Sequence, residues 1–209
     1  MHSLVSLSGV LRSLQEADIP FVVMGGQAVG AHGTLPRAVR TSSVVRLDVC
    51  TRPARIADPQ NLPARAIPYT LADGSTILVM GLSDLIQTKK TQRLKDWGAI
   101  EMLLAASIAT SPAPSEALGR VWLEELRDPE LLQTVSAAQP SLAASVAEHR
   151  PALAAALAGD IAGMKGALIR ELQDGIDADR AYQRSITSEL EAMRQEARRT
   201  LPPSAPPAP

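Results

Sequence analysis

The stretch Phe21–Cys50, FVVMGGQAVGAHGTLPRAVRTSSVVRLDVC, decides how the chain is read. Phe21 to Met24 is a short apolar run that stops at Gly25-Gly26, the pattern of a buried strand entering a tight turn. Ala28 to His32 predicts a brief helix after the turn, and Val44 to Val49 predicts a second strand. A glycine at such a turn lets the backbone come close to a phosphate, because no Cβ stands in the way. Chemistry on phosphates then calls for paired carboxylates that hold a metal. This stretch offers one carboxylate, Asp48, with Arg46 two residues before it. Two glycines alone are read first as a tight turn that needs them for its own geometry, so the surrounding sequence has to decide.

Upstream, Leu4, Leu7, Val10, Leu11 and Leu14 recur at helical spacing over residues 3–16, and Asp18 and Pro20 end that helix. Downstream, residues 51–65 contain Pro53, Pro59 and Pro63 and read as loop. Residues 66–71 and 75–80 are apolar runs flanking Asp73-Gly74, a strong hairpin signal. Residues 82–91 form a helix with Ser83 as the expected N-cap and Leu82, Leu85 and Ile86 facing inward. A further helix over 95–107 carries Trp97, Ile100, Leu103 and Leu104 on its apolar face. SPAPS, residues 111–115, is a linker, and everything beyond it is helical in character. The last helix aligns Ile161, Met164, Leu168, Leu172, Ile176, Tyr182, Ile186, Leu190 and Met193 in a stripe. That stripe is expected to be packing, against residues 116–158 or a second chain. PPSAPPAP at the C-terminus reads as a disordered Pro-rich tail, residues 201–209.

Bulk composition narrows the function classes. Aromatics make up 2% of the 209 residues, so the core is aliphatic and an aromatic nucleic-acid platform is disfavoured. Net charge is −1, which by itself recruits neither nucleic acid nor a membrane. Residues 1–100 are the basic half, with eleven Lys/Arg against seven Asp/Glu, as a site for an anionic substrate would want. A single cysteine, Cys50, excludes an internal disulfide and a Cys-based zinc site. With no signal-peptide pattern and no apolar run of membrane-spanning length, a cytoplasmic location is the default expectation.

Taken together, VVMGGQAVGAHG, the following arginine and strand, and LDVC resemble the start of the fold of small bacterial nucleotidyltransferases, including toxin and antiphage relatives. GLSDLIQTKKTQRLKDWGAIEML resembles that family's helix pair, and WLEELRDPELL with DRAYQRSITSELEAMR resembles the helical extension of one branch. The resemblance implies an α/β fold, a small nucleotidyltransferase-like mixed sheet with flanking helices over residues 1–108, followed by an all-helical C-terminal domain over 115–200. It also implies a reaction, transfer of a nucleoside monophosphate from an NTP to a hydroxyl acceptor with Mg²⁺. On that alignment Gly25, Gly26, Arg46, Lys89, Lys90 and Arg93 are the nucleotide-binding candidates, and Asp48 is the catalytic and metal-binding candidate.

The departures from the family pattern are specific. The family places two carboxylates one residue apart on the strand; here Arg46 takes the first position, where its charge repels a metal. An ungapped alignment puts Thr41 and Ser43 there instead, and the pair is broken either way. Only 29 residues separate Asp48 from Leu78, too few for the helix, strands and third carboxylate usual in the family, so an internal deletion is inferred. Asp58 and Asp73, the acids in that span, belong to a Pro-broken loop and a turn. The cations Lys89, Lys90, Arg93 and Lys95 are either phosphate contacts or a solvated helix end, where they complement the helix dipole, and Asp96 either pairs with Arg93 or caps the following helix. His32 is either a general base or a backbone-bonding residue beside the turn. The expectation is therefore a catalytically impaired nucleotidyltransferase-family protein. The alternatives are a non-catalytic binding or regulatory protein, such as a toxin–antitoxin component, and a decayed gene product. A homodimer or a small protein partner through the C-terminal helices is the expected association.

Overall fold

In a computed structural model, residues 7–33, 50–71 and 73–200 are described. Among the described residues the chain is mostly helical, with one small antiparallel sheet. Helix α1 (Leu7–Glu16) is followed by α2 (Gly26–Ala31), a 3-10 turn at Pro59–Asn61 and the single-turn α3 (Leu62–Arg65). Strands β1 (Ile67–Thr70) and β2 (Thr76–Val79) then form the hairpin. Eight residues of α4 (Leu82–Lys89) and seventeen of α5 (Leu94–Thr110) come next. Then come α6 (Glu116–Glu125), α7 (Pro129–Ala138), α8 (Pro140–Ala147), α9 (Pro151–Leu157) and the forty-residue α10 (Ile161–Thr200).

The hairpin forms where Asp73-Gly74 predicts it, pairing Ile67 with Val79 and Thr70 with Thr76. Gly74 supplies a φ of 83°, and Asp73 Oδ1 accepts from the Ser75 amide and hydroxyl, which closes the turn. Ile77 and Val79 of β2 are buried, whereas all of β1 is exposed. The expected strand at 21–24 is shorter than its apolar run suggests. It amounts to one parallel bridge, in which Val23 donates to the Leu78 carbonyl at 2.8 Å and accepts from the Met80 amide at 2.9 Å. Proline at position 20 removes a donor immediately before the run, which limits how far a ladder can extend.

Two hydrophobic clusters organise the chain. The first joins Leu11, Ala28, Ile56, Leu62, Ile77 and Val79 to Leu85 and Leu103. The second joins Ile86, Trp97, Ile100 and Leu104 to the faces of α6–α10. Helices α4 and α5 thus lie between them, and the apolar face predicted for α5 is divided, Leu103 to one cluster and Trp97, Ile100 and Leu104 to the other. Ser83 does not cap α4: the N-cap is Gly81, and Ser83 lies inside the first turn. Ser115 does cap α6, accepting from the Leu118 amide, and Asp128 caps α7 through the amides of Glu130 and Leu131. Residues 51–65 are loop apart from the 3-10 turn, which Asp58 caps, and α3.

The stripe on α10 is buried only in its first half. Met164, Leu168 and Ile176 are inside, but Tyr182, Leu190 and Met193 are 48%, 46% and 67% exposed. Packing against residues 116–158 therefore accounts for the stripe only as far as Ile176, and the part beyond is not covered within one chain. No helix among the described residues is long and apolar enough to cross a membrane.

Candidate functional site

The glycine turn sits where β2, Val23 and α2 meet. Gly25 has φ 78° and precedes the first residue of α2, with its carbonyl accepting from the Val29 amide at 3.1 Å. That backbone conformation favours glycine. A Cβ built on Gly25 would meet no atom of the described residues within 4 Å, so the glycine serves the turn's conformation. Gly26 begins α2. His32 follows the helix, and its Nε2 donates to the Met80 carbonyl at 2.9 Å. Of the two readings of His32, the geometry is the backbone-bonding one, and it fixes the end of α2 to the end of β2.

The cationic cluster is placed by the turn between α4 and α5, and Lys89, Lys90 and Arg93 each have an acid. Lys90 Nζ lies 2.7 Å from Glu125 Oε1, Arg93 Nη2 lies 2.6 Å from Asp96 Oδ2, and Lys89 Nζ lies 3.6 Å from Asp96 Oδ1. Asp96 is only 5% exposed and also accepts from the Thr91 hydroxyl at 2.7 Å. Burial alone would raise its pKa. The Thr91 hydroxyl and the Lys89 and Arg93 charges outweigh that, and the carboxyl is held below its ordinary value. Neighbouring backbone is tied down as well. Trp97 Nε1 donates to the Thr91 carbonyl at 2.6 Å, and the Gln92 amide donates to Asp179 Oδ2 at 2.8 Å. These contacts make the KKTQR segment a junction among α4, α5, α6 and α10, with its cations engaged by protein carboxylates.

Around this junction lie charged residues that sequence reasoning passed over. Glu125 accepts from Gln87 and Lys90 through one oxygen, while its Oε2 lies 3.9 Å from Arg127 Nη1. Arg127 stacks over the Trp97 ring, 4.5 Å from its centroid, and burial pulls its pKa down. Buried Arg150 donates to the Leu123 and Leu126 carbonyls at the end of α6 and forms a two-pronged pair with Glu171 of α10. Glu125 and Asp179 carried a signal. Each is an acid three residues beyond a buried apolar residue on one helical face, Trp122 and Ile176 respectively. Arg150 carried none. A cleft of about 420 Å³ opens over this network, lined by Arg55, Lys90, Arg127 and Arg150 but also by Glu124, Glu171 and Asp174. Its lining mixes cations with acids instead of presenting one sign of charge.

Asp48, Arg46 and the alternative pair Thr41 and Ser43 lie outside the described residues. Among the described residues, no three His, Cys, Asp or Glu side chains group to hold a metal ion. Asp58 and Asp73 are engaged in their own turns. No protein-family model, no curated protein and no solved structure matches this chain.

Proposed function

We propose that this chain is a nucleotidyltransferase-like protein that binds an NTP beside Gly25-Gly26 and transfers its nucleotidyl group poorly or not at all. The observation that carries the reading is the turn. An apolar residue bridged in parallel to β2 leads into a positive-φ glycine, a short helix, and a histidine bonded back to the sheet. That order matches the strand, Gly-Gly, helix, His-Gly pattern on which the sequence resemblance rests. Impaired turnover is supported by the donor set. A metal bridging phosphates is held by paired carboxylates, and the sequence offers Asp48 with Arg46 in the companion position. That set does not fit Mg²⁺, so no metal-dependent step is assigned. The pairing of Lys89, Lys90 and Arg93 with Asp96 and Glu125 likewise supports a structural role for those cations.

The test compares wild type with Arg46→Asp and Asp48→Asn, each incubated with labelled ATP, CTP, GTP and UTP, Mg²⁺ or Mn²⁺ and a cell extract as acceptor source. The expected result is no transfer by wild type and NTP binding that is lost in Gly26→Val. Robust transfer by wild type that disappears in Asp48→Asn would overturn the impaired-site reading. Absence of NTP binding in calorimetry would overturn the nucleotide reading altogether and favour a decayed product or a purely regulatory protein. The outer half of α10, which leaves the bundle with apolar residues exposed, favours a second reading: a non-catalytic protein, such as a toxin–antitoxin component, that works through association.

A further inference from the structure

Beyond Asp179, α10 continues for 21 residues as a helix whose exposed side is not uniformly polar. Gln183, Ile186, Leu190 and Met193 follow one another at intervals of three, four and three, which is the a, d, a, d order of a heptad. Leu190 and Met193 are largely exposed in the single chain. A helix of this length standing in water on its own is marginal, since most helical stability in proteins comes from packing an apolar face.

Charge pattern indicates what covers that face. On the same helix Arg180 pairs with Asp177, and Arg199 with Glu196, at the i,i+3 spacing that one helix can bridge. Glu189 and Arg194 have no ion-pair partner among the described residues. They are five apart, a spacing that one helix cannot close. In the heptad register Glu189 is a g position and Arg194 the following e position. Two parallel, in-register copies bring Glu189 of each helix beside Arg194 of the other. Antiparallel copies would set glutamate against glutamate and arginine against arginine.

We propose that the outer half of α10 pairs with the same segment of a second copy as a short parallel two-stranded coiled coil. Ile186, Leu190 and Met193 form its seam, and Glu189 and Arg194 set its direction. Gln183 at an a position holds the register, as single polar a residues do. This inference stands apart from the nucleotide reading and survives its failure.

The experiment is sedimentation equilibrium on the full chain over a concentration series, with four variants. Wild type is expected to approach twice its 22.1 kDa mass. Leu190→Asp is expected to remain monomeric with the same thermal unfolding of the bundle. Glu189→Arg is expected to weaken the dimer at least tenfold, and Glu189→Arg with Arg194→Glu to restore it. In a Cys50→Ser background, Met193→Cys is expected to cross-link to itself on oxidation. A mass that stays at that of one chain up to about 1 mM, the weak end of specific association, overturns the proposal. So does a dimer that Glu189→Arg leaves unchanged and Met193→Cys does not cross-link, since that is the antiparallel outcome or a different interface.

Discussion

The Lys90 ammonium donates to Glu125 Oε1 at 2.7 Å, an ion pair that spans 35 positions of the chain and fastens the end of α4 to the last residue of α6. Both side chains are largely buried, and Gln87 shares the same carboxylate oxygen at 3.0 Å. Taking one member of such a pair away leaves the other charge in a poor solvent.

Glu125→Ala is therefore expected to destabilise the fold by about 3 kcal/mol, the scale of a broken buried pair, as read by urea unfolding. Replacing both members with apolar residues, Lys90→Met with Glu125→Leu, is expected to recover most of that loss. If the single and the double variant unfold at the same urea concentration, the pair is not the source of the effect.

The hairpin turn carries a pH signature. Hydrogen bonds from the Ser75 hydroxyl and amide, with a smaller contribution from Arg12, hold the Asp73 carboxyl at about 2, against an ordinary value of 3.8. A carboxyl lowered by folding stabilises the native state above its ordinary value, and that contribution fades as the pH falls from 3.8 toward about 2. Carboxyl-carbon NMR should show the low midpoint in wild type. Ser75→Ala should shift it upward, and an unmoved midpoint in that variant would assign the shift to another group.

Trp97 lies against α10 because position 175 has no side chain. A Cβ there would stand 2.5 Å from the ring's Cη2. Gly175→Val is expected to displace the ring from the Thr91 carbonyl and from Arg127, at a cost of about 1–3 kcal/mol, the usual range for overpacking. The near-UV circular dichroism of the tryptophans and the melting temperature report it. Retention of both would mean that α10 can shift freely at this point.

Leu168 is buried on α10 beside Met164 and Ala167. Leu168→Asp places a charge without a partner in that core and should cost about 3 kcal/mol or more. A melting curve unchanged from wild type would contradict the packing of the inner half of the stripe.

The sequence made the hairpin, the α4–α5 pair and the helical second half legible because each rests on local signals: Asp-Gly chemistry, helical spacing, and a Pro-rich break. It overstated the strand at 21–24, because an apolar run does not say how many partners the backbone will find. It misplaced the cap of α4, where Ser83 has the right chemistry and Gly81 the right backbone position. The cations at 89–93 were visible, and so was Asp96 as a partner three positions beyond Arg93, but the acid that takes up Lys90 was not. Glu125 lies 35 positions from Lys90, and Asp179 lies 87 positions from Gln92, whose amide it binds. Helical spacing places Glu125 and Asp179 on buried faces, but which residue each one meets is a property of the packed helices.

Helix α10 turns a small angle into a large displacement. From Asp179 to Thr200 is about 30 Å of unbroken helix at 1.5 Å per residue, so a tilt of about 5° at the base moves the tip by nearly 3 Å. The Gln92 amide holds Asp179 at that base. One hydrogen bond from the turn after α4 thus lies at the fulcrum of a lever whose far arm reaches beyond the rest of the bundle.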